Sequence, residues 1–265
     1  MSLTVAVCGA LGRMGREVVK TIAAAPDLEL TGAVDRGVDQ PVDAGVAAGV
    51  GELGITVVST LESLAANPPE ILVDFTQPDS VMANAIRGLD MGSHLVIGTT
   101  GLSQGDLKQL DEAARATGRG VIVAPNFALG AVLMMNFAAL AAKYFPDVEI
   151  IELHHEQKKD APSGTAIKTA EMIRAAREAN GFIDACWESL PGARGGDFDG
   201  IRIHSVRLPG FVAHQEVIFG LTGQTLTIRH DSTSRESFMP GVLLAIREVS
   251  KIEGLIYGLE HLLQL

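Results

Sequence analysis

The sequence predicts an α/β chain in two parts, a parallel sheet covered by helices on both faces followed by an α+β part with a mixed or antiparallel sheet. Three observations predict it. Short strand-like runs alternate with helical stretches through the first half, the order that produces a parallel sheet with crossover helices. Those runs are apolar without alternation, as strands buried on both faces are. After about residue 126 the alternation stops, and consecutive strand-like runs follow one another with short turns, which implies antiparallel pairing.

Taken in order, strands are expected at Leu3–Cys8, Leu28–Val34, 55–58, Ile71–Asp74, His94–Ile97 and 121–123, with helices at 13–25, 80–90 and Gln104–Thr117. The apolar run 128–142 is too short to span a bilayer and contains Asn136, so it reads as a buried helix. A strand at 148–155 precedes a helix at 165–180, with Gly181 as the expected residue just past its C-terminus. A Gly- and Asp-rich loop fills 191–200, and strands follow at 201–208, 212–220 and 225–230. From about residue 236 the pattern is helical again and is expected to return to the first part. The expected domains are therefore 1–125 with 236–265, and 126–235.

Composition narrows the function. Of 265 residues 47% are hydrophobic and 20% charged, and the net charge is -11. That balance argues against a broad basic face for nucleic acid or for an anionic membrane. It leaves an anionic small substrate open, because only the local charge of a pocket matters there. Cys8 and Cys186 are the two cysteines. They form neither a disulfide framework nor a metal-ligand spacing, so a reducing cytoplasm and no metal are expected. Met1-Ser2-Leu3 offers no basic leader, and Arg13 interrupts the first apolar stretch.

Three motifs carry chemistry. The first, Gly9-Ala10-Leu11-Gly12-Arg13-Met14-Gly15, runs from a strand straight into a helix. Glycines there permit a tight turn and let a pyrophosphate approach the helix N-terminus, where free N–H groups favour anions. Asp35 ends the second strand about 20 residues on, where a ribose-binding carboxylate belongs. These features predict a Rossmann-type dinucleotide-binding domain. Arg36 beside Asp35 either pairs with the 2′-phosphate of NADPH or simply points to solvent. The second motif, Gly98-Thr99-Thr100-Gly101, follows a strand on the edge where ligands of open α/β sheets bind, or else is a turn with a threonine cap. Ala124-Pro125-Asn126-Phe127 stands at the change of pattern, as a hinge, a cofactor contact, or both.

The third motif is Glu149-Ile-Ile-Glu-Leu-His154-His155-Glu-Gln-Lys158-Lys-Asp160-Ala-Pro-Ser163-Gly164-Thr165-Ala166. If the extended conformation persists, His154 and Lys158 project from one face and His155 from the other. A proton donor working near neutral pH beside a cation is a plausible catalytic pair. Ser163 is an N-cap candidate, and the free N–H groups that follow could hold a carboxylate. The bland reading is a histidine pair ending a strand, a solvated Lys-Lys-Asp run and an ordinary cap. The adjoining helix start, on a chain that also carries the nucleotide motif, tips the balance to the functional one.

At this segment the chain resembles the 4-hydroxy-tetrahydrodipicolinate reductase family. The first motif from Cys8 to Gly15, Val73-Asp-Phe-Thr-Gln-Pro78, Gly98 to Gly101, His204-Ser-Val-Arg-Leu-Pro-Gly210 and His214-Gln-Glu-Val-Ile-Phe-Gly220 fit the same family in the same order. The resemblance implies a Rossmann-type domain built from both chain ends and a central domain that binds substrate and assembles a homotetramer. It implies hydride transfer from NADH or NADPH into a cyclic dicarboxylate, with loss of water. It makes His154 the proton donor/acceptor and Lys158 a proton donor, with His155, Gly164 and Thr165 on the substrate. Gly9 to Met14, Asp35, Gly98 to Thr100 and Ala124 to Phe127 then contact the cofactor. Gln224 and Pro240 depart from the family pattern.

Two competing readings are weaker. An aspartate-semialdehyde dehydrogenase needs a nucleophilic cysteine at a helix start, whereas Cys8 lies in the first strand and Cys186 has no adjacent histidine. A dinucleotide-sensing regulator has no use for His154 and Lys158 beside an anion cradle.

Overall fold

In a computed structural model describing residues 2–177 and 186–263, the chain forms two compact units, residues 1–127 with 238–265, and residues 128–237. The first unit is organised around β1 (Leu3–Cys8), whose last four residues are buried. It continues through α1 (Arg13–Ala24), β2 (Leu28–Val34), the short α2 (Ala44–Ala48), β3 (Val57–Val58), β4 (Ile71–Asp74), α3 (Val81–Asp90), β5 (His94–Ile97), α4 (Gln104–Thr117) and β6 (Gly120–Val123). The second unit holds α5 (Leu129–Ala141), β7 (Asp147–His154), α6 (Gly164–Ala176), β8 (Gly196–Phe198), β9 (Ile201–Arg207), β10 (Ala213–Leu221) and β11 (Gln224–Ser232). The chain returns to the first unit with α7 (Met239–Glu248) and β12 (Gly254–Tyr257).

The first sheet is parallel, in the order β12-β6-β5-β4-β1-β2-β3. Its central strands are buried on both faces, which is why the sequence shows apolar runs there. The strand order reverses between β1 and β4, and open α/β sheets bind ligands outside the carboxyl ends at such a switch point. Helix ends follow from local chemistry. Ser103 and Asp106 form a reciprocal capping box at the start of α4, and Gly118 ends that helix in the left-handed region.

Three features of this unit depart from expectation. β3 is shorter than 55–58, because the Ile55 N–H donates to the Asp43 carboxylate and the Ala44 N–H to the Ile55 carbonyl. β12 lies in a tail read as helical. Its four residues gain a strand partner only because β6 offers a free edge, with Gly254 opposite Gly120. Pro240 sits in the first turn of α7, where its missing N–H costs nothing, so this departure from the family pattern is benign. Arg247 of α7 then pairs with Asp27 at 2.8 Å, tying the returning helix to the turn before β2.

The second sheet is mixed, in the order β11-β10-β7-β9-β8. The expectation that consecutive strands pair holds for β10 with β11 and fails for β9 with β10, while β9 pairs instead with β8, a strand that was not expected. β7 lies between those two, parallel to β9 and antiparallel to β10. The Leu208 N–H donates to the His154 carbonyl at 3.1 Å, so the chain leaving β9 stays on the end of β7 before it crosses. β8 falls in the stretch expected to be a loop. α6 ends at Ala176 with Arg177 extended, short of the expected residue 180, and Gly181 lies outside the described residues. The apolar 128–142 run does form a helix, α5, packed against α6 and β11. Among the described residues no helix is long and apolar enough to cross a membrane.

Candidate active site

In the first unit the chain leaves β1 into Gly9, whose φ of 81° is left-handed. A Cβ there would stand 2.5 Å from the Phe75 carbonyl oxygen, so only glycine fits. Gly15 is equally constrained, since a Cβ would fall 1.9 Å from the Gly9 oxygen. Gly12 occupies the N-cap of α1, where it offers no side-chain acceptor, and the first turn carries no acidic residue. No side chain of the helix's own first turn thus competes for its free N–H groups. Asp35, just past β2, accepts the Leu11 N–H through Oδ2 and the Gly37 N–H through Oδ1, each at 2.9 Å. Its carboxylate is therefore held beside the glycine turn. A cleft of about 690 Å³ opens there, lined by Gly9, Leu11, Gly12, Asp35, Arg36, Thr60, Gln77 and Arg87 among others. Its size and residues suit the ribose and phosphates of a dinucleotide.

Arg36 lines this cleft, but its guanidinium is engaged: both Nη atoms donate to Asp79 at 3.2 Å, with both side chains largely exposed. Of the other expected contacts, Ala10 is buried, while Arg13 is exposed and Met14 half-buried in the first turn of α1. Gly98 lies beneath the Phe75 ring, 2.1 Å from where its Cβ would be. The Thr99 hydroxyl donates to Asp74 at 2.7 Å, whereas Thr100 is exposed. Ala124 and Phe127 are buried, Phe127 with its ring 5.7 Å from that of Phe75; Pro125 is exposed and Asn126 half-buried. Asp74 is the buried organiser of this edge. It accepts from Thr76, Asn84 and Thr99. Burial, with the charges of Asp74 and Asp35, pushes the Cys8 thiol well above its usual range, so Cys8 is no nucleophile.

The second unit builds a different site at the end of β7. Val148, Ile150 and Glu152 share the buried face of that strand. Glu152 has no exposed side-chain surface. It is compensated on every side: Arg207 donates to both of its oxygens at 2.7 and 2.9 Å, the Ser163 N–H donates at 3.2 Å, and His154 Nδ1 lies 2.5 Å away. Burial alone would raise its pKa. Hydrogen bonds from His154, Arg207 and Ser205 outweigh that and hold it at about 2. Arg207 is fixed in turn by the carbonyls of Val206 and Asp160. Neither Glu152 nor Arg207 stood out as a site residue in the sequence. The one available signal was a charged residue in phase with Val148 and Ile150 on a buried strand face.

The strand ends at His154, and the Lys158 N–H closes a turn on the His155 carbonyl. Extended conformation therefore does not persist to Lys158, and the expected same-face projection of His154 and Lys158 does not arise that way. Lys158 instead donates to both oxygens of Asp160 at 2.8 and 2.9 Å. A cis peptide joins Ala161 to Pro162. Ser163 then caps α6, its hydroxyl accepting the Ala166 N–H at 3.2 Å. Gly164, the first helical residue, faces open space: a Cβ there would meet nothing within 4 Å. Thr165 follows in the same turn. A buried ionised cluster thus backs a helix start with free approach to its backbone.

Comparison with known proteins finds matches to both halves of the chain. A family model described as dihydrodipicolinate reductase, N-terminus, matches residues 3–127, and the C-terminus model matches residues 130–263. The chain is 52% identical to a 4-hydroxy-tetrahydrodipicolinate reductase of Desulfitobacterium hafniense, covering 99% of each, and 50% identical to one of Moorella thermoacetica, covering 99% of this chain and 98% of that one. Among solved structures, a dipicolinate-bound dihydrodipicolinate reductase from Paenisporosarcina sp. TG-14 superimposes with a TM-score of 0.89 at 46% identity, over 99% of this chain and 100% of that one. With both halves matched and half of all positions identical over nearly the full length, this chain belongs to the dihydrodipicolinate reductase family.

Proposed function

We propose that the chain reduces 4-hydroxy-tetrahydrodipicolinate to tetrahydrodipicolinate at the expense of NADH or NADPH, in the synthesis of diaminopimelate and lysine. The reduced nicotinamide supplies the hydride. In the balance one hydride and one proton are consumed, and the ring hydroxyl leaves as water. One observation carries the assignment of the chemistry to the second unit: the Glu152–His154–Arg207 cluster stands behind the open helix start at Gly164. The dipicolinate in the Paenisporosarcina relative is a planar dicarboxylate, the class of ligand such a helix start would receive.

In this reading His154 takes and returns the proton, and Lys158 is a second proton donor, released from Asp160 as the substrate's carboxylate takes the place of that partner. Backbone N–H groups at Gly164 and Thr165 hold a carboxylate, and His155 lines the same turn. In the first unit the Gly9–Met14 turn holds the pyrophosphate and Asp35 the ribose hydroxyls. Arg36 serves the 2′-phosphate of NADPH. Gly98 to Thr100 and Ala124 to Phe127 shape the nicotinamide side. Residues 1–125 with 236–265 then act as the dinucleotide-binding domain, and 126–235 as the substrate-binding and oligomerisation domain. We place the enzyme in the cytoplasm as a homotetramer, supported by a cysteine content that offers no disulfide framework and by the family resemblance.

The direct test is oxidation of NADPH on adding the freshly formed condensation product of aspartate semialdehyde and pyruvate. Cofactor binding without oxidation would identify a dinucleotide sensor instead. His154→Ala should lower kcat by about 10²–10⁴-fold, the usual contribution of positioned acid–base catalysis, with cofactor Kd unchanged. A variant within threefold of wild-type kcat removes His154 from the chemistry.

A further inference from the structure

We infer that Glu152 and Arg207 form a positioning pair for the proton-transfer step: the buried carboxylate takes the Nδ1–H of His154, Arg207 holds the carboxylate still, and the imidazole is left with Nε2 as the nitrogen that exchanges a proton. The inference rests on the reading of His154 as the proton donor/acceptor.

The placement argues for it. Glu152 occupies an interior position of the central strand β7, in phase with Val148 and Ile150, where an apolar side chain is the ordinary occupant. A buried carboxylate is strongly unfavourable unless its oxygens are paired and hydrogen-bonded. Arg207 and the Ser163 N–H already supply that compensation. The imidazole is an additional partner, and its ring reaches solvent, with 14% of its side chain exposed. The strand register makes the cluster rigid. His154 stands opposite Arg207 and Glu152 opposite Ser205, while Arg207 is pinned by two backbone carbonyls.

Chemistry then fixes the tautomer. An ionised carboxylate only accepts hydrogen bonds, and Glu152 is held ionised well below neutral pH. The nitrogen beside it must therefore carry the proton, and the partner of one ring nitrogen decides the state of the other. Neutral His154 so presents a bare Nε2, and protonated His154 an Nε2–H. The other charged groups around the cluster are Arg207 on β9, and His155, Lys158 and Asp160 in the turn after β7; Lys158 and Asp160 are paired with each other. The carboxylate orients the ring and keeps its own charge throughout, as buried carboxylates behind catalytic histidines do.

The decisive measurement is ¹⁵N NMR of histidine-labelled wild-type protein, with the His154 signals identified by their loss in His154→Gln. The neutral ring should be protonated at Nδ1 and bare at Nε2; the opposite tautomer overturns the inference. Glu152→Gln adds a second arm. Arg207 claims the amide oxygen, the amide NH₂ turns toward Nδ1, and the ring should switch to the Nε2–H tautomer. We expect kcat to fall by about ten- to a hundredfold, a part of what acid–base catalysis contributes. Substrate KM and NADH Kd should stay within about twofold of wild type, and Glu152→Gln should cause no further loss in a His154→Ala background, since groups acting as one unit are non-additive. Unchanged kcat in Glu152→Gln, with the usual loss in His154→Ala, overturns the positioning role alone. Wild-type kcat in His154→Ala overturns the proton role and this inference with it. Should Glu152→Gln fail to fold, the wild-type tautomer decides.

Discussion

At the scale of single residues, the function proposed above makes cofactor choice turn on two neighbours. Asp35 keeps its carboxylate beside the glycine turn through two backbone N–H groups, and a carboxylate there favours ribose hydroxyls and repels a 2′-phosphate. Arg36 does the reverse, but in this structure its guanidinium is spent on Asp79. An exposed pair of this kind contributes little, so a phosphate, carrying more charge than a carboxylate and matching the guanidinium fork, displaces it. Arg36→Ala should weaken NADPH by about tenfold and leave NADH nearly unchanged, consistent with charge-assisted hydrogen bonds of roughly 1.5–3 kcal/mol less the pair that is given up. Asp79→Ala should tighten NADPH by about two- to fivefold, the value of an exposed ion pair. Dissociation constants for both cofactors decide the matter, and equal effects of Arg36→Ala on the two would sink it. Asp35 and Arg36 could be singled out in the sequence from their place at the end of an apolar strand. Asp79 was not, because it lies 43 positions further on and only the fold brings it alongside.

At the scale of elements, both proposed sites include a helix start reached from a strand, and the two starts differ. α1 begins at Gly12 with no side-chain cap, so its end is open. α6 is capped by Ser163, yet its first residue, Gly164, borders empty space. That emptiness separates fold from function in an experiment. The Cβ added by Gly164→Val meets nothing within 4 Å, so thermal stability should be unchanged to within about 1 kcal/mol, the scale of helix propensity differences. The side chain should nevertheless block close approach of a carboxylate to the backbone. Substrate KM should rise about tenfold or more, given roughly 1.5–3 kcal/mol for hydrogen bonds to a charged group, while NADH binding holds. A collapse of cofactor affinity instead would show that the two pockets have been assigned the wrong way round. The capping residues and the glycine turn were readable because each acts through backbone geometry within a few residues.

At the scale of the whole molecule, the acid limb of stability should report the second unit's buried carboxylate. The pKa of Glu152 is about 2 in the folded chain against an ordinary 4.5. A depressed carboxylate stabilises the fold above its unfolded pKa, and that stabilisation is lost as pH falls toward the folded value. Calorimetric stability should therefore decline between about pH 4.5 and pH 2, by on the order of 3 kcal/mol from this one group. Glu149, whose burial would raise it but whose bonds to Arg194 and His204 prevail, adds to the same limb. Arg207→Met combined with Glu152→Gln should flatten the decline. A slope identical to wild type would place the acid sensitivity elsewhere.

The sequence by itself determined what depends on local pattern. Runs of apolar residues marked the strands of a sheet buried on both faces, glycine spacing marked the turn at β1, and a contiguous segment marked His154, Lys158 and Gly164 as one neighbourhood. Only the tertiary structure decided what depends on which strand lies next to which. It inserted β7 between β9 and β10, made a strand of Gly254–Tyr257 at the free edge of β6, and turned the chain after His154 so that Lys158 met Asp160. It also set Arg207 across from His154 and over Glu152, 55 positions apart in the chain. Periodicity reports which side of a strand is buried and is silent about its neighbours. A carboxylate that is intolerable on that side when alone becomes stable, and useful, only once another strand delivers its partner.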